Sequence, residues 1–470
     1  MKQPLNALIV KEGEGTQDAV PLGDGIFMSK DVSNLYLVTT DDGDVLINTG
    51  IIFSAAENKR RFEAVSDQPI RKIVFTQSHE DHIGGWTTFD GPGVETIAQA
   101  NIRFVRTYFR DLGPAMARRS RRLWSGDQKR EVTERPEPVV TTTFHDSHAF
   151  ELGGRRFELY AVPGGETIDS LVVWLPHERI AFTGNMTGPL FGHVPNLYTI
   201  RGDHLRYVQW YLDSVQRVID LAPETLITGH GDPVRGAADI RRRLTQMRDA
   251  AQSLRDQTFA GMNAGVDLWT LMETVKLPPD LAIPQGHGKV PWIVRAIWEE
   301  HLGWFRYESS TELYNVPPRA VSADFVELAG GAAPVLARAR QHLDGGRPLH
   351  ALHLAEAVEQ VDADNRDAFA VALAATEAVL AAAGRENFSE VRWLEGEIRA
   401  LRSRLEEALA WSTPASRSMR CAPLPGRSSR SWRCGATSAC AMPGCLSTRS
   451  TTPRSASSRR STTPAFASAR

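Results

Sequence analysis

Phe75-Thr76-Gln77-Ser78-His79-Glu80-Asp81-His82-Ile83-Gly84-Gly85 is the stretch on which the reading of this 470-residue chain turns. An apolar run, Ile73-Val74-Phe75, stops, and potential metal ligands follow at once. His79, Asp81 and His82 offer two imidazoles and a carboxylate, a donor set suited to zinc or a similar borderline divalent ion. Gly84-Gly85 then allows close backbone packing where the next element starts. A lone histidine on a loop carries no such meaning. Three ligands at the end of a buried strand do.

Outward from this stretch, short apolar runs recur through the first 235 residues: Leu35-Tyr36-Leu37-Val38, Val45-Leu46-Ile47, Leu171-Val172-Val173-Trp174, Ile180-Ala181-Phe182 and Leu226-Ile227. Most end in Gly, Asp, Asn or Thr, as buried strands do. Asp42-Gly43 reads as a hairpin turn between two of them. Helical patterns intervene at roughly 52–66, 100–124 and 203–221. From about residue 236 the signal is helix only. Ile240, Leu244, Met247, Ala251, Leu254 and Met262 mark one face of a long helix, and further helices are expected near 291–306, 331–343, 348–360, 365–383 and 387–410. Their apolar stripes must be buried against one another or a second subunit.

Composition is that of a globular protein, 42% hydrophobic and 23% charged, with no run near the roughly 18–20 apolar residues of a membrane helix. The opening MKQPLNALIVKEGEG is not a secretory signal, so a soluble, cytoplasmic protein is expected. The net charge of −2 hides a split: residues 412–470 hold ten Arg and no Lys, Asp or Glu, which leaves residues 1–411 at −12. All four cysteines (Cys421, Cys434, Cys440, Cys445) also lie in that tail, so residues 1–411 can form neither a disulfide nor a thiolate metal site. The Ser/Arg/Pro-rich tail has no period and is expected to be disordered. Its abrupt start after Trp411 fits a shifted reading frame in a GC-rich gene. A basic nucleic-acid-binding arm is the other reading, and nucleic acid is not expected as a partner.

The metal-ligand stretch resembles the metallo-β-lactamase superfamily, whose loop runs His-x-His-x-Asp-His and then Gly-Gly. Here Gln77 stands at the first position. Other landmarks follow in order: Val45-Leu46-Ile47-Asn48-Thr49-Gly50, with Asn48 where the family has Asp; Pro163-Gly164-Gly165-Glu166-Thr167; Phe182-Thr183-Gly184-Asn185; and Gly229-His230-Gly231-Asp232. Within the superfamily the chain resembles the alkylsulfatases, through Glu166 as third ligand and Asn196-Leu197-Tyr198-Thr199-Ile200-Arg201-Gly202 as a sulfate-site segment. Val275-Lys276-Leu277-Pro278-Pro279 and the stretch from Arg295 to Phe305 look like that branch's dimerisation domain. The resemblance covers about 30–410, and the branch's sterol-carrier-like domain is not recognisable where the tail sits.

The resemblance implies an α/β fold: a metallo-β-lactamase αββα sandwich over 1–235, then an all-α helical dimerisation domain over 236–411 and the disordered tail 412–470. It implies one ion held by Gln77, His79 and Glu166, another by Asp81, His82 and His230, and Asn185 at the bridging position. The second set keeps an anion and two imidazoles, with room for water. The first has an amide in place of an imidazole, and the bridge has lost a charge. One tightly bound Zn2+ and a weaker or absent second ion are therefore expected. The implied reaction is hydrolysis of an anionic small-molecule ester, an alkyl sulfate, by a metal-activated water. Asp81 and His230 are expected to be catalytic through the ion, and Arg201 as a bidentate sulfate clamp. Asn196 is expected to donate to sulfate, Tyr198 to lie nearby, and Arg118 with Arg119 to line the entrance. Trp292, Trp298, Trp304 and Phe305 fit either an alkyl-binding wall or a core and dimer interface. Two alternatives stay open: a hydrolase of another ester, lactone or amide, and a degenerate, non-catalytic metal-binding dimer. A homodimer is expected in every case.

Overall fold

The computed structural model describes residues 10–124 and 136–410; the tail, with its cysteines, lies outside the described residues. Thirteen strands are described: β1 (Val20–Gly23), β2 (Ile26–Ser29), β3 (Leu35–Val38), β4 (Asp44–Ile47), β5 (Ile70–Val74), β6 (Glu95–Gln99), β7 (Thr142–Phe144), β8 (Ser147–Leu152), β9 (Arg155–Ala161), β10 (Leu171–Leu175), β11 (Ile180–Gly184), β12 (Thr225–Thr228) and β13 (Val234–Arg235). They form a seven-stranded sheet in the order β1 to β7 and a six-stranded sheet in the order β13-β12-β11-β10-β9-β8.

The sheets face each other, and alternation along a strand explains why its sequence reads as unbroken apolar. In β3, Tyr36 and Val38 enter the core between the sheets, while Leu35 and Leu37 enter the core on the other face. In β10, Leu171, Val173 and Leu175 point between the sheets, and Val172 and Trp174 point outward. A strand covered on both faces has no polar side to show. By contrast β8, one of the edge strands, alternates exposed and half-buried residues, and its apolar signal is weak.

The outer face of the first sheet is covered by α1 (Ala55–Glu63), α2 (Glu80–Ile83), α3 (Trp86–Phe89) and α4 (Ile102–Asp111), whose Phe62, Ile83, Trp86, Phe89 and Ile102 join Leu35, Leu37 and Leu46. The single helix expected over 100–124 is two, because the chain breaks at Leu112 before α5 (Gly113–Trp124). The helix expected from 203 begins five residues later, as α6 (Val208–Leu221), because Asp203 adopts a left-handed φ of +74° that a helix cannot contain.

Then come α7 (Ala237–Asn263), α8 (Leu268–Thr274), α9 (Val290–Leu302), α10 (Ser322–Leu328), α11 (Ala332–Asp344), α12 (Pro348–Val361), α13 (Arg366–Ala382) and α14 (Phe388–Ala410). The change to helix near 236 is not a break in packing. Ile240, Leu244 and Leu254 of α7 and Ile293, Val294 and Ile297 of α9 share one core with Val172, Ala181 and Leu226 of the second sheet. A separate apolar core forms further on, around Leu336, Ala355, Phe369 and Ala372 of α11 to α13. Among the described residues no single helix is long and apolar enough to cross a membrane.

β4 and β5 run parallel, as do β11 and β12. Residues just past the end of each parallel pair therefore emerge together at one end of their sheet. Close approach there needs glycine: a Cβ on Gly85 would lie 2.3 Å from the Thr49 carbonyl oxygen. Gly85→Ala should lower stability by about 1–3 kcal/mol, the range for overpacking against a fixed backbone. Urea unfolding reads this directly, and an unchanged midpoint would refute the tight packing.

Candidate metal centre

Residues 32–36, leading into and through β3, hold two of the site loops together. The Asn34 amide donates to the Gly229 carbonyl at 2.8 Å, and its side-chain Nδ2 to the Gly231 carbonyl at 3.1 Å. The Tyr36 hydroxyl donates to the Thr228 carbonyl at 2.8 Å, and the Ser33 hydroxyl donates to the Asp81 carbonyl. Thus the loop after β12 and the loop after β5 are fixed against one template. Gly229 permits the final approach, because a Cβ there would stand 2.2 Å from Asn185 Oδ1 and 2.7 Å from His82 Cε1.

These constraints bring Asp81, His82 and His230 together. One ligand atom from each lies within 4.8 Å of the others, and among the described residues no other group of His, Cys, Asp or Glu satisfies that test. Asp81 Oδ2 is 3.7 Å from His82 Nε2 and 3.5 Å from His230 Nε2, and the two rings meet edge to face. Burial pushes His82 down to about 4, so it is neutral at pH 7, the form a metal requires. His230 is set in the ligating tautomer: its Nδ1–H donates to the Val32 carbonyl at 2.6 Å, leaving a lone pair on Nε2. That lone pair now accepts from Asn185 Nδ2 at 3.1 Å. His82 Nε2 and Asn185 Oδ1 are buried with no hydrogen-bond partner. Orphaned polar atoms beside a carboxylate are what an absent cation leaves, so this trio fits a divalent ion.

One neighbour opposes it. Asn48, at a left-handed φ of +62° that Asn tolerates, accepts the Thr76 backbone N–H at 2.9 Å through Oδ1. Its Nδ2 therefore faces His82 Nδ1 at 3.1 Å and donates to it. An imidazole that accepts at Nδ1 carries its proton on Nε2, the atom needed for the ion.

The other three expected ligands are engaged differently. Gln77 Oε1 accepts the Asn185 backbone N–H at 3.0 Å, so Nε2 donates to His79 Nδ1 at 2.9 Å. His79 then carries its proton on Nε2, which stands 3.4 Å from Asp203 Oδ2. Glu166 Oε2 accepts from Arg206 at 2.6 Å, and its Oε1 lies 3.4 Å from His287 Nε2. Arg206 and Glu166 are both almost wholly buried. Burial alone would raise Glu166, but Arg206 together with His287 and His79 outweighs it and holds the carboxyl at about 2. His79 Nε2, Asp203 Oδ1 and both His287 nitrogens are also buried without a partner, but Glu166 already carries the Arg206 guanidinium and His79 Nδ1 the Gln77 amide, so a second ion would have to displace them.

Asn196 is buried, and its Oδ1 lacks a partner. Arg201 is 3.2 Å from Asp203 Oδ2, so the expected sulfate clamp is tied through Asp203 to the metal loop. The Tyr198 hydroxyl donates to Glu299 on α9 at 2.5 Å, which engages it outside the ligand set. Arg118 is exposed on α5, whose Arg119 donates to the Ile200 carbonyl at 2.9 Å. Trp298 is core, whereas Trp304 is 67% exposed.

Sequence reading missed Asp203, Arg206 and His287. The i,i+3 pair Asp203 and Arg206 directly after the sulfate-like segment was a readable signal. His287 had none. It comes from the loop before α9, fixed where Asn387 Nδ2 donates to the Gln285 and His287 carbonyls.

Comparison with known proteins finds two family matches along the chain. The family description "Metallo-beta-lactamase superfamily" matches residues 29–230, and "Alkyl sulfatase dimerisation" matches 270–392. A linear primary-alkylsulfatase of a Pseudomonas strain is 28% identical over 363 residues, covering 70% of this chain and 67% of the relative. An alkyl/aryl-sulfatase of Saccharomyces cerevisiae is 26% identical, covering 67% and 53%. The chain thus spans between about half and two-thirds of the length of these relatives. The solved structure of a stereoselective inverting sec-alkylsulfatase from Pseudomonas sp. shares the fold at a TM-score of 0.71 and 22% identity, covering 83% of this chain and 65% of that one.

Asn48→Asp tests the tautomer argument. One carboxylate oxygen keeps the Thr76 N–H and the other accepts from His82 Nδ1–H, which frees Nε2. Metal affinity should rise about 10–100-fold, the usual effect of such supporting carboxylates. Competition against a chromophoric chelator measures it; unchanged affinity would show that Asn48 does not set the ring.

Proposed function

Residues 29–230 belong to the metallo-β-lactamase superfamily and residues 270–392 form an alkyl sulfatase dimerisation domain; on that premise we propose that the chain is a zinc-dependent hydrolase of alkyl sulfate esters. The observation that carries this reading is the tie between two parts: the Asp81, His82 and His230 trio, and the segment from Asn196 to Arg201, joined to the same loop through Asp203 and His79.

Asp81, His82 and His230 would hold the ion, and the catalytic parts of Asp81 and His230 rest on that. A bound zinc supplies a Lewis acid and lowers the pKa of a coordinated water to about 7. Arg201 presents a planar guanidinium to two sulfate oxygens, and Asn196 adds the amide of a buried side chain. Their donors stabilise the negative charge that grows on the departing sulfate. Asp203 positions Arg201 by accepting from its guanidinium.

Sulfate release from alkyl sulfates by the full chain should require zinc, stop with chelator and return on adding the ion. Arg201→Ala should cut kcat/KM by about 100-fold or more while leaving bound metal unchanged, as loss of a charge-stabilising donor does. Metal-dependent turnover of another ester, lactone or amide that ignores Arg201 would replace the sulfatase reading. No turnover with any ion would make the chain a non-catalytic dimer.

For the partner we propose a second copy of this chain, held at 302–328. Trp304, Tyr307, Tyr314, Phe325 and Leu328 are all more than half exposed there, within the matched dimerisation domain. Light scattering should give a dimer mass, and Phe325→Asp with Leu328→Asp should shift it to monomer. A wild-type monomer at micromolar concentration would overturn this.

A further inference from the structure

We propose that the position a first metal ion takes in this family is filled here by a side-chain network whose cation is the Arg206 guanidinium, so that the chain binds one ion rather than two. The count needs no substrate, although the position is defined by the metallo-β-lactamase reading.

Gln77 and Glu166 are each engaged by hydrogen bonds to neighbouring groups, and His79 is engaged at Nδ1. The Gln77 oxygen takes the Asn185 backbone N–H, and its amide nitrogen takes the only lone pair on His79. The remaining His79 nitrogen stands 3.4 Å from Asp203 Oδ2 without forming a hydrogen bond. Glu166 gives one oxygen to Arg206 and the other lies against His287. A cation is still required, because Glu166 and Asp203 are buried carboxylates in one pocket and their charges need compensation. Arg206 supplies it. Its NH2 group lies 2.6 Å from Glu166 Oε2 and 3.1 Å from Asp203 Oδ2, and its NH1 group donates to the Asn196 carbonyl at 2.7 Å.

A metal at this place would join the loop after β5 to Glu166. Arg206 joins Glu166 to Asn196 and, through Asp203, to both His79 and Arg201. It is therefore a positioning residue: it anchors the sulfate-like segment at the edge of the one-ion site without touching the ester. The Gln77 amide completes the exchange. A histidine there could not both accept the Asn185 N–H and donate to His79 at these positions without giving up its role as a ligand.

The test is the ion count per folded chain, by elemental analysis and native mass spectrometry after dialysis, with Co2+ titration followed by absorption. Wild type should hold one zinc, and the cobalt titration should break at one equivalent. Gln77→His alone should stay at one, because Arg206 still occupies Glu166. Gln77→His combined with Arg206→Met should gain a second equivalent and become stabilised by added zinc, as an ion takes over from the guanidinium. Two tightly held ions in the wild type would overturn the proposal, as would a double variant that folds and still counts one. Should that variant fail to fold, the wild-type count decides alone. One ion without sulfate release would sink the sulfatase reading and leave this one standing; two ions with sulfate release would do the reverse.

Discussion

Polar side chains withdrawn from water must each find a partner, and that requirement organises this molecule where the strand-end loops meet. Leaving one buried donor or acceptor unmatched costs about 1–3 kcal/mol, and breaking a buried ion pair about 3–5 kcal/mol. Against a net stability of about 5–15 kcal/mol for a typical domain, few such errors are tolerable. Residues 32–36 show the remedy. A short apolar strand buries both faces, while its approach donates to the carbonyls of both site loops. The loops are thereby set by hydrogen bonds to their own backbone carbonyls.

The two halves of the centre solve the same electrostatic problem by different chemistry. Around Asp81 the partners are imidazoles, with orphaned nitrogen and oxygen atoms beside them. Around Glu166 the partner is a fixed guanidinium, although His79 Nε2, Asp203 Oδ1 and both His287 nitrogens nearby are buried without a hydrogen-bond partner. Exchange of carboxylate for amide runs through the site. Asn48 and Asn185 both turn an amide hydrogen toward an imidazole, at 3.1 Å in each case. An aspartate at position 48 would instead accept from the His82 ring, whereas one at position 185 would face the His230 Nε2 lone pair and present a charge to a cation there. At position 48 the exchange of one atom thus reverses the direction of a hydrogen bond and, with it, which nitrogen of His82 is free.

The helical region is part of this centre. α7 and α9 share a core with the second sheet, and the loop between α8 and α9 carries His287 to Glu166. That loop is clamped in turn by Asn387 at the start of α14, which lies against α5, the helix over the sulfate-like segment. The matched dimerisation domain therefore reaches the candidate metal centre through covalently continuous, hydrogen-bonded structure.

Much was legible in the sequence because it is written in local patterns. Strands covered on both faces appear as apolar runs, as in β3, β4, β10 and β11, and helices show their three- and four-residue steps. The loop from Gln77 to Gly85 announces its chemistry through adjacent ligands, and its resemblance to one family carried the sandwich and the trio with His230. Edge strands such as β8 escaped, because a half-exposed strand lacks the apolar run. Tertiary structure alone decided the partners: that Asn48 donates to His82, that Tyr198 is held by Glu299, and that Arg206 sits on Glu166. Those pairings depend on which atom of an amide or ring faces which neighbour across 30 to 100 residues of chain, as with the 34 between Asn48 and His82 and the 101 between Tyr198 and Glu299. A sequence names the groups that can bond; only the packing of the sheets and helices fixes the direction in which each proton points.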